Sequence, residues 1–206
     1  MQNDKNENEE LIEMEIKTLE IAGFYSALKA LHLPYGKIEK SFLAGEILPE
    51  RMESSNCDYH NAIAYGGATV IVADKDLALL KALIKNGDEH AKVVRGINVW
   101  VEIKAPIYFW WDFETYIVGH QRLCSESTMN QECKGLTGEE LQKAKGAIPF
   151  GREVTKIDML SYQTIARICR QRKNHRLPEF HQFIDWAGTL PFAEELIFTD
   201  KDTNIR

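Results

Sequence analysis

The stretch from Lys104 to Asn130, KAPIYFWWDFETYIVGHQRLCSESTMN, constrains the fold of this chain more than any other. An almost unbroken apolar run, holding two of the four Trp, passes directly into a segment dense in Ser, Gln, His and Arg. One length of chain is therefore buried at its start and able to bind at its end, as expected of a site built on a core element. Just upstream, Val99, Val101 and Ile103 alternate with Trp100 and Glu102, the two-residue period of a strand. Ala105-Pro106 is expected to end that strand. Pro cannot donate to a ladder but suits the first turn of a helix, so Ile107 to about Val118 reads as a buried helix, hydrophobic nearly all round.

The remaining periodicities are shorter. Leu11 to Ile21 fits a strand with one slip in phase, and Phe24, Ala27, Leu28 and Leu31 repeat at helical spacing until Pro34 and Gly36. Residues 37 to 60 are polar and irregular, and Ala68 to Val72 reads as a short β-branched strand. Asp74 or Asp76 can cap a helix with Leu77, Leu80, Leu83 and Ile84 on one face, stopped by Asn86-Gly87; Asp88, Glu89 and His90 follow at the turn. Thr137 with Glu140 forms a capping box for a short polar helix inside an excursion from 131 to 152, which is either a surface loop or a flap over a site. Thr155 to Arg172 reads as helical, with Tyr162, Ile165, Ala166 and Cys169 inward. Pro178 starts another helix carrying Phe180, Phe183, Ile184 and Ala187, closed by Gly188, and Phe192 to Ile197 forms a last turn. The expected organisation is a polar leader over 1–10, one domain over 11–198 and a polar tail over 199–206.

Composition narrows the function. With 206 residues and 44% hydrophobic content the chain can build one substantial core. A net charge of -6 argues against broad nucleic-acid or anionic-membrane binding. Cys57, Cys124, Cys133 and Cys169 form no C-x-x-C pair, and neither a leader peptide nor a membrane span is visible, so a soluble cytoplasmic protein is expected. His90, His120, His175 and His181 show no metal-binding spacing, and no metal is expected. P-loop, dinucleotide-fingerprint and nucleophile-elbow patterns are absent from the sequence.

Two polar constellations remain. Arg167, Arg170, Arg172, Lys173, His175 and Arg176 lie within ten residues of an otherwise acidic chain, and guanidinium forks match phosphate oxygens; a solvated helix face explains the same run. His120-Gln121-Arg122 with Ser125-Glu126-Ser127 forms a polar lip suited to an anion, or an edge strand whose side chains face water. The aromatic residues around Trp110 suit core packing better than stacking on a ligand. Asp112 and Glu114 lie in an apolar helix and need partners, which Lys104 or Arg122 can supply.

The order of helix ending in Gly, acidic turn, alternating strand, Lys104-Ala105-Pro106-Ile107, aromatic helix and Ser-rich segment resembles the flavin-dependent thymidylate synthase (ThyX) family. The likeness covers roughly residues 74 to 130, with a weaker echo from 155 to 197. It implies an α+β fold with a mixed or antiparallel sheet and helices on one side, assembled as a homotetramer. It also implies FAD and a pyrimidine nucleotide, dUMP, as ligands. In that family the helix leads into an Arg-His-Arg triplet and a Ser that serve the nucleotide and flavin sites. Without gaps these positions hold Thr115, Tyr116, Ile117 and His120; five extra residues would place them at His120-Gln121-Arg122 and Ser125. The ungapped register is preferred, since five inserted residues rotate a helix face by more than a third of a turn.

Asn174 and Arg176 are the nearest match to the family's Asn and Arg on the later helix pair, and Asp185 stands where a further Arg is expected. The resemblance and these departures together imply a nucleotide-binding protein that has lost the parent reaction. It would bind a nucleotide or other phosphorylated small molecule through Arg122, Ser125, Glu126, Ser127, Arg167, Arg170, Asn174 and Arg176, with His120, Gln121 and His90 as accessories. Sequestering or sensing a signalling nucleotide, as a viral sponge, fits that role. The alternative is a divergent flavin-dependent enzyme methylating dUMP or a related nucleotide. A similarity of 155–197 to phage-borne relatives would place it in a bacterial or virus-infected cytoplasm.

Overall fold

The computed structural model describes residues 14–35, 62–65 and 68–199, so the expected leader, the irregular 37–60 stretch and all but Thr199 of the tail lie outside the described residues. The described residues open with β1 (Glu15–Ala22), whose phase slip is a bulge between Thr18 and Glu20, followed by α1 (Phe24–His32). β2 (Ala62–Tyr65) and β3 (Ala68–Ile71) pair as an antiparallel ribbon. α2 (Asp74–Lys85) follows, capped by Ala73 in extended conformation instead of by an Asp side chain. A 3-10 segment (Ala91–Gly96) leads into β4 (Asn98–Pro106), α3 (Ile107–Phe113) and β5 (His120–Ser125). Then come α4 (Gly138–Gly146), β6 (Glu153–Ser161), α5 (Tyr162–Arg172), α6 (Pro178–Gly188) and α7 (Ala193–Leu196).

β1, β4, β6 and β5 form one antiparallel sheet in that order, so the fold is α+β as expected. On its inner face Val99, Val101, Ile103 and Ala105 are fully buried, and across the β4–β6 ladder they face Leu160, Asp158, Lys156 and Val154. α6 lies over β1: Trp186 Nε1 donates to Thr18 Oγ1 at 2.9 Å, and Met14 N donates to Gln182 Oε1 at 2.9 Å. Between sheet and helices Phe109, Phe113, Phe180 and Phe183 pack ring to ring, with centroids 5.0 to 5.3 Å apart. Each buried Phe contributes roughly 1.5–3 kcal/mol over leaving it in water. Trp110 donates its Nε1–H to both Ala105 O and Val154 O, which ties α3 to the two central strands.

Three expectations are corrected. β4 runs on through Pro106, whose place at the strand end asks no donation of it. Residues 155 to 161 belong to β6, not to a helix. The strand alternation there is hidden because two of its inward positions are Lys156 and Asp158 instead of apolar residues. α3 stops at Phe113, five residues before Val118, because Thr115 Oγ1 caps Asp112 O at 2.8 Å and the chain then turns back toward the sheet. Ile117 and Val118, read as buried, are 75% and 67% exposed.

Gly23 joins β1 to α1 with φ +100°, and a Cβ there would lie 1.9 Å from Gly96 O. Both the left-handed backbone and the close approach require glycine. Gly23→Ala is expected to lower unfolding free energy by about 3 kcal/mol or to block folding, read by urea titration.

Candidate functional site

The turn between α3 and β5 is where polar groups converge. Thr164 Oγ1 and Arg167 Nη2, both from α5, donate to Val118 O at 2.7 and 2.9 Å. Ser161 N donates to Gly119 O at 2.9 Å, while Ser161 Oγ caps α5 by accepting from Thr164 N. Gly119 has φ +73°, and a Cβ would lie 2.4 Å from Thr164 Oγ1 and 2.7 Å from Ser161 Oγ. Only glycine lets the turn press this closely on the helix start.

Two clefts open on either side of that clamp. The first, of about 420 Å³, lies between the turn at 115–118 and Arg167, Gln171 and Arg172. Arg172 Nε donates to the Tyr116 hydroxyl at 2.8 Å, and the guanidinium carbons of Arg172 and Arg167 stand 5.4 and 5.8 Å from the Tyr116 ring centre. The lining holds two guanidinium groups and no carboxylate. The second cleft, about 450 Å³, shares Val118 and Arg167 with the first and adds Asp88, Glu89, Arg95, Asn98 and Gln163. Arg95 Nε donates to Gln163 Oε1 at 2.6 Å and its Nη2 to Asp88 O at 3.3 Å. Arg167 Nε is buried without an acceptor among the described residues. Both volumes fall in the range of small-molecule sites, roughly 300–1,000 Å³.

Behind the clefts an ionic network joins β5, β6 and α3. Asp158 is fully buried; His120 Nε2 lies 2.9 Å from its Oδ2, and Arg122 Nε donates to its Oδ1 at 3.0 Å. Burial pushes the Asp158 carboxyl up, but the His120 and Arg122 contacts outweigh it and hold the group below the usual carboxylate range. Arg122 Nη1 and Lys156 Nζ both reach Glu114 Oε1 at 2.6 Å, and together they keep Glu114 ionised against its desolvation. His120 Nδ1 meets Tyr116 O at 3.0 Å, so the network also touches the turn that lines the first cleft.

The nominated residues divide between these places. Arg167 lines both clefts. Arg122 and His120 turn inward to Asp158; Arg122 lies 5.2 Å over Trp110 and supplies the partner that Glu114 needed, while Asp112 sits 3.7 Å from His175. Ser125 Oγ donates to Glu126 O, and Glu126 extends the β5–β6 pairing through Thr155 on both its backbone N–H and its carboxylate. Ser127 O accepts from Asn130 N in the next turn. Ser125 and Glu126 border a separate cleft of about 200 Å³ with Trp110 and Trp111. Gln121, Arg170, Asn174, Arg176 and His90 are exposed and line neither of the two main clefts. Arg122 and the basic turn therefore do not share a cleft within one chain.

Arg95 and the backbone of 115–119 line the clefts without having been singled out as binding groups, and Arg172, a member of the basic run weighed for phosphate, lines the first. One signal pointed to the turn. The ungapped register placed the family's charged triplet on Thr115, Tyr116 and Ile117, the wall of the first cleft. Among the described residues no group of His, Cys, Asp and Glu is placed to hold a metal ion, and no helix is long and apolar enough to cross a membrane.

No family model and no curated protein matches the chain by sequence. Solved structures do match it by fold. Two structures of ThyX from Helicobacter pylori, each with FAD and dUMP, superpose with TM-score 0.62 at 12% identity. They cover 91% and 93% of this chain and 99% and 100% of their own. A UMP/dUMP methylase, PolB from Streptomyces cacaoi, bound with 5-Br dUMP, matches with TM-score 0.57 and 10% identity over 92% of this chain and 96% of its own. The chain thus has a ThyX-like fold with strongly diverged sequence.

The Asp158 network can be checked through acid stability. Its carboxyl is depressed in the native state, so its contribution is complete at neutral pH and is lost as pH falls through the native value. Asp158→Asn is expected to lose about 3 kcal/mol at pH 7, because Arg122 Nε loses its charged acceptor and the guanidinium keeps only the Glu114 pairing at Nη1. In melting curves against pH the gap to wild type should hold down to about pH 4, the ordinary carboxylate range, and close below it. A gap independent of pH would refute the ionic account.

Proposed function

We propose that this protein binds a nucleotide or other phosphorylated small molecule in the first cleft and that it has lost the methyl-transfer reaction associated with its fold. One observation carries the reading: Arg167 and Arg172 face a cleft of about 420 Å³ with no carboxylate in its lining. Neither guanidinium is in an ion pair among the described residues: Arg167 donates to Val118 O, and Arg172 donates to the Tyr116 hydroxyl and, at 3.5 Å, to Asp112 O, so both keep an uncompensated positive charge for a phosphate. The nucleotides held by the similar folds support the ligand class.

Loss of the parent chemistry is supported by what lines the cleft. Thr115, Tyr116 and Ile117 stand where the resemblance puts a charged triplet, and Tyr116 is buried and bonded to Arg172. The phosphates of FAD suit the two guanidinium groups. Its ring system is less well served: the Tyr116 ring is flanked by Arg167 and Arg172, and Trp110 by Arg122 and Lys156, which leaves neither as an open stacking platform. When bound, a flavin would supply hydride chemistry. What this chain's own residues offer is anion binding and orientation, and a role in sequestering or sensing a nucleotide follows.

Calorimetric titration with UMP, dUMP and AMP tests the binding reading. Arg172→Ala should weaken the tightest of these by at least tenfold, whereas Arg176→Ala, outside the clefts, should leave it within about threefold. Equal losses in both variants, or none, would move the site elsewhere. Incubation with FAD followed by gel filtration tests the loss of the parent chemistry: protein carrying an absorbance band near ~450 nm would restore the flavoenzyme reading.

A further inference from the structure

The two clefts are not alike chemically. The first presents cations alone. The second sets Asp88 and Glu89 against Asn98, Gln163, Ser161 and Thr164, and it shares Val118 and Arg167 with the first. A carboxylate repels a phosphate but accepts hydrogen bonds from hydroxyl and amino groups. Taking the phosphate to lie in the first cleft, as in the binding reading above, we propose that the sugar lies in the second, with its vicinal hydroxyls donating to Glu89 and Asp88. The ligand class is then a ribonucleotide in preference to a 2′-deoxyribonucleotide.

Local structure supports that division. Arg95 donates to Gln163 Oε1 and to Asp88 O, so its side chain is engaged in holding the 88–89 turn against α5. Arg167 is common to the linings of both clefts, which puts its guanidinium at the phosphate–sugar junction. The second cleft's volume of about 450 Å³ leaves room for a nucleoside. The preference would set this chain apart from the ThyX structures seen with dUMP, while the methylase described for both UMP and dUMP indicates that the fold can take either sugar.

Pairs differing in one hydroxyl test this directly: UMP against dUMP, and AMP against dAMP, titrated calorimetrically into wild type and the double variant Asp88→Asn/Glu89→Gln. Both side chains are exposed, and a thermal melt checks that the variant folds. A hydroxyl bonded to a charged acceptor corresponds to about tenfold in affinity, so each ribonucleotide should bind about ten times tighter than its deoxy partner. In the double variant that ratio should fall toward one with the deoxynucleotide affinities little changed. Equal binding of the two sugars by wild type overturns the sugar assignment and leaves the phosphate cleft standing. A ribose preference that survives in the double variant overturns the assignment to Asp88 and Glu89. Absence of binding by all four nucleotides overturns this inference together with the binding reading it rests on.

Discussion

A carboxylate with no access to water, placed on a central strand, is costly unless a charged or hydrogen-bonding partner meets it. Asp158 is that group, and β5 supplies the compensation by presenting His120 and Arg122 two residues apart on the inner face. The pairing sets the register of β5 on β6, since a slip of one residue would turn both side chains outward and leave the acid alone. Glu114 then extends the network to α3 through Arg122 and Lys156, and both of those cations also lie over the face of Trp110.

Once β5 is held in register, the turn before it has little freedom. Gly119 presses against Ser161 and Thr164, and the Val118 carbonyl is gripped by Thr164 and Arg167. The polar start of α5 thereby becomes a wall instead of a solvated surface. Arg167 and Arg172, which on an isolated helix would extend into water, are turned toward Tyr116 and the clefts beside it. Burial at the sheet is thus converted into positioned charge at its rim, which is what an anion site requires.

Much of the architecture was legible in the chain. α1, α2 and α6 carry clean helical periodicity with Pro or Gly near their ends, and the slip in β1 announced its bulge. β6 was not legible, because an inward Lys156 and Asp158 break the alternation that identifies a strand, and their partners lie 36 to 46 residues away by sequence number. Of the nominated binding groups, Arg167 stands in the clefts. Arg122 reads as an equally good anion ligand until the buried Asp158 is known, since nothing local distinguishes a cation that serves a ligand from one that serves the core.

Local pattern by itself determined the helices with a continuous apolar face, the alternating β4 and the presence of a basic run on α5, because these depend on the spacing of residues within a few turns of one another. The tertiary structure alone decided which arginines are used internally and which face a cleft, and where α3 gives way to the turn that shapes the site. Those outcomes depend on pairings between distant segments, and a charge has no assignable role until the dielectric and the counter-charge around it are set.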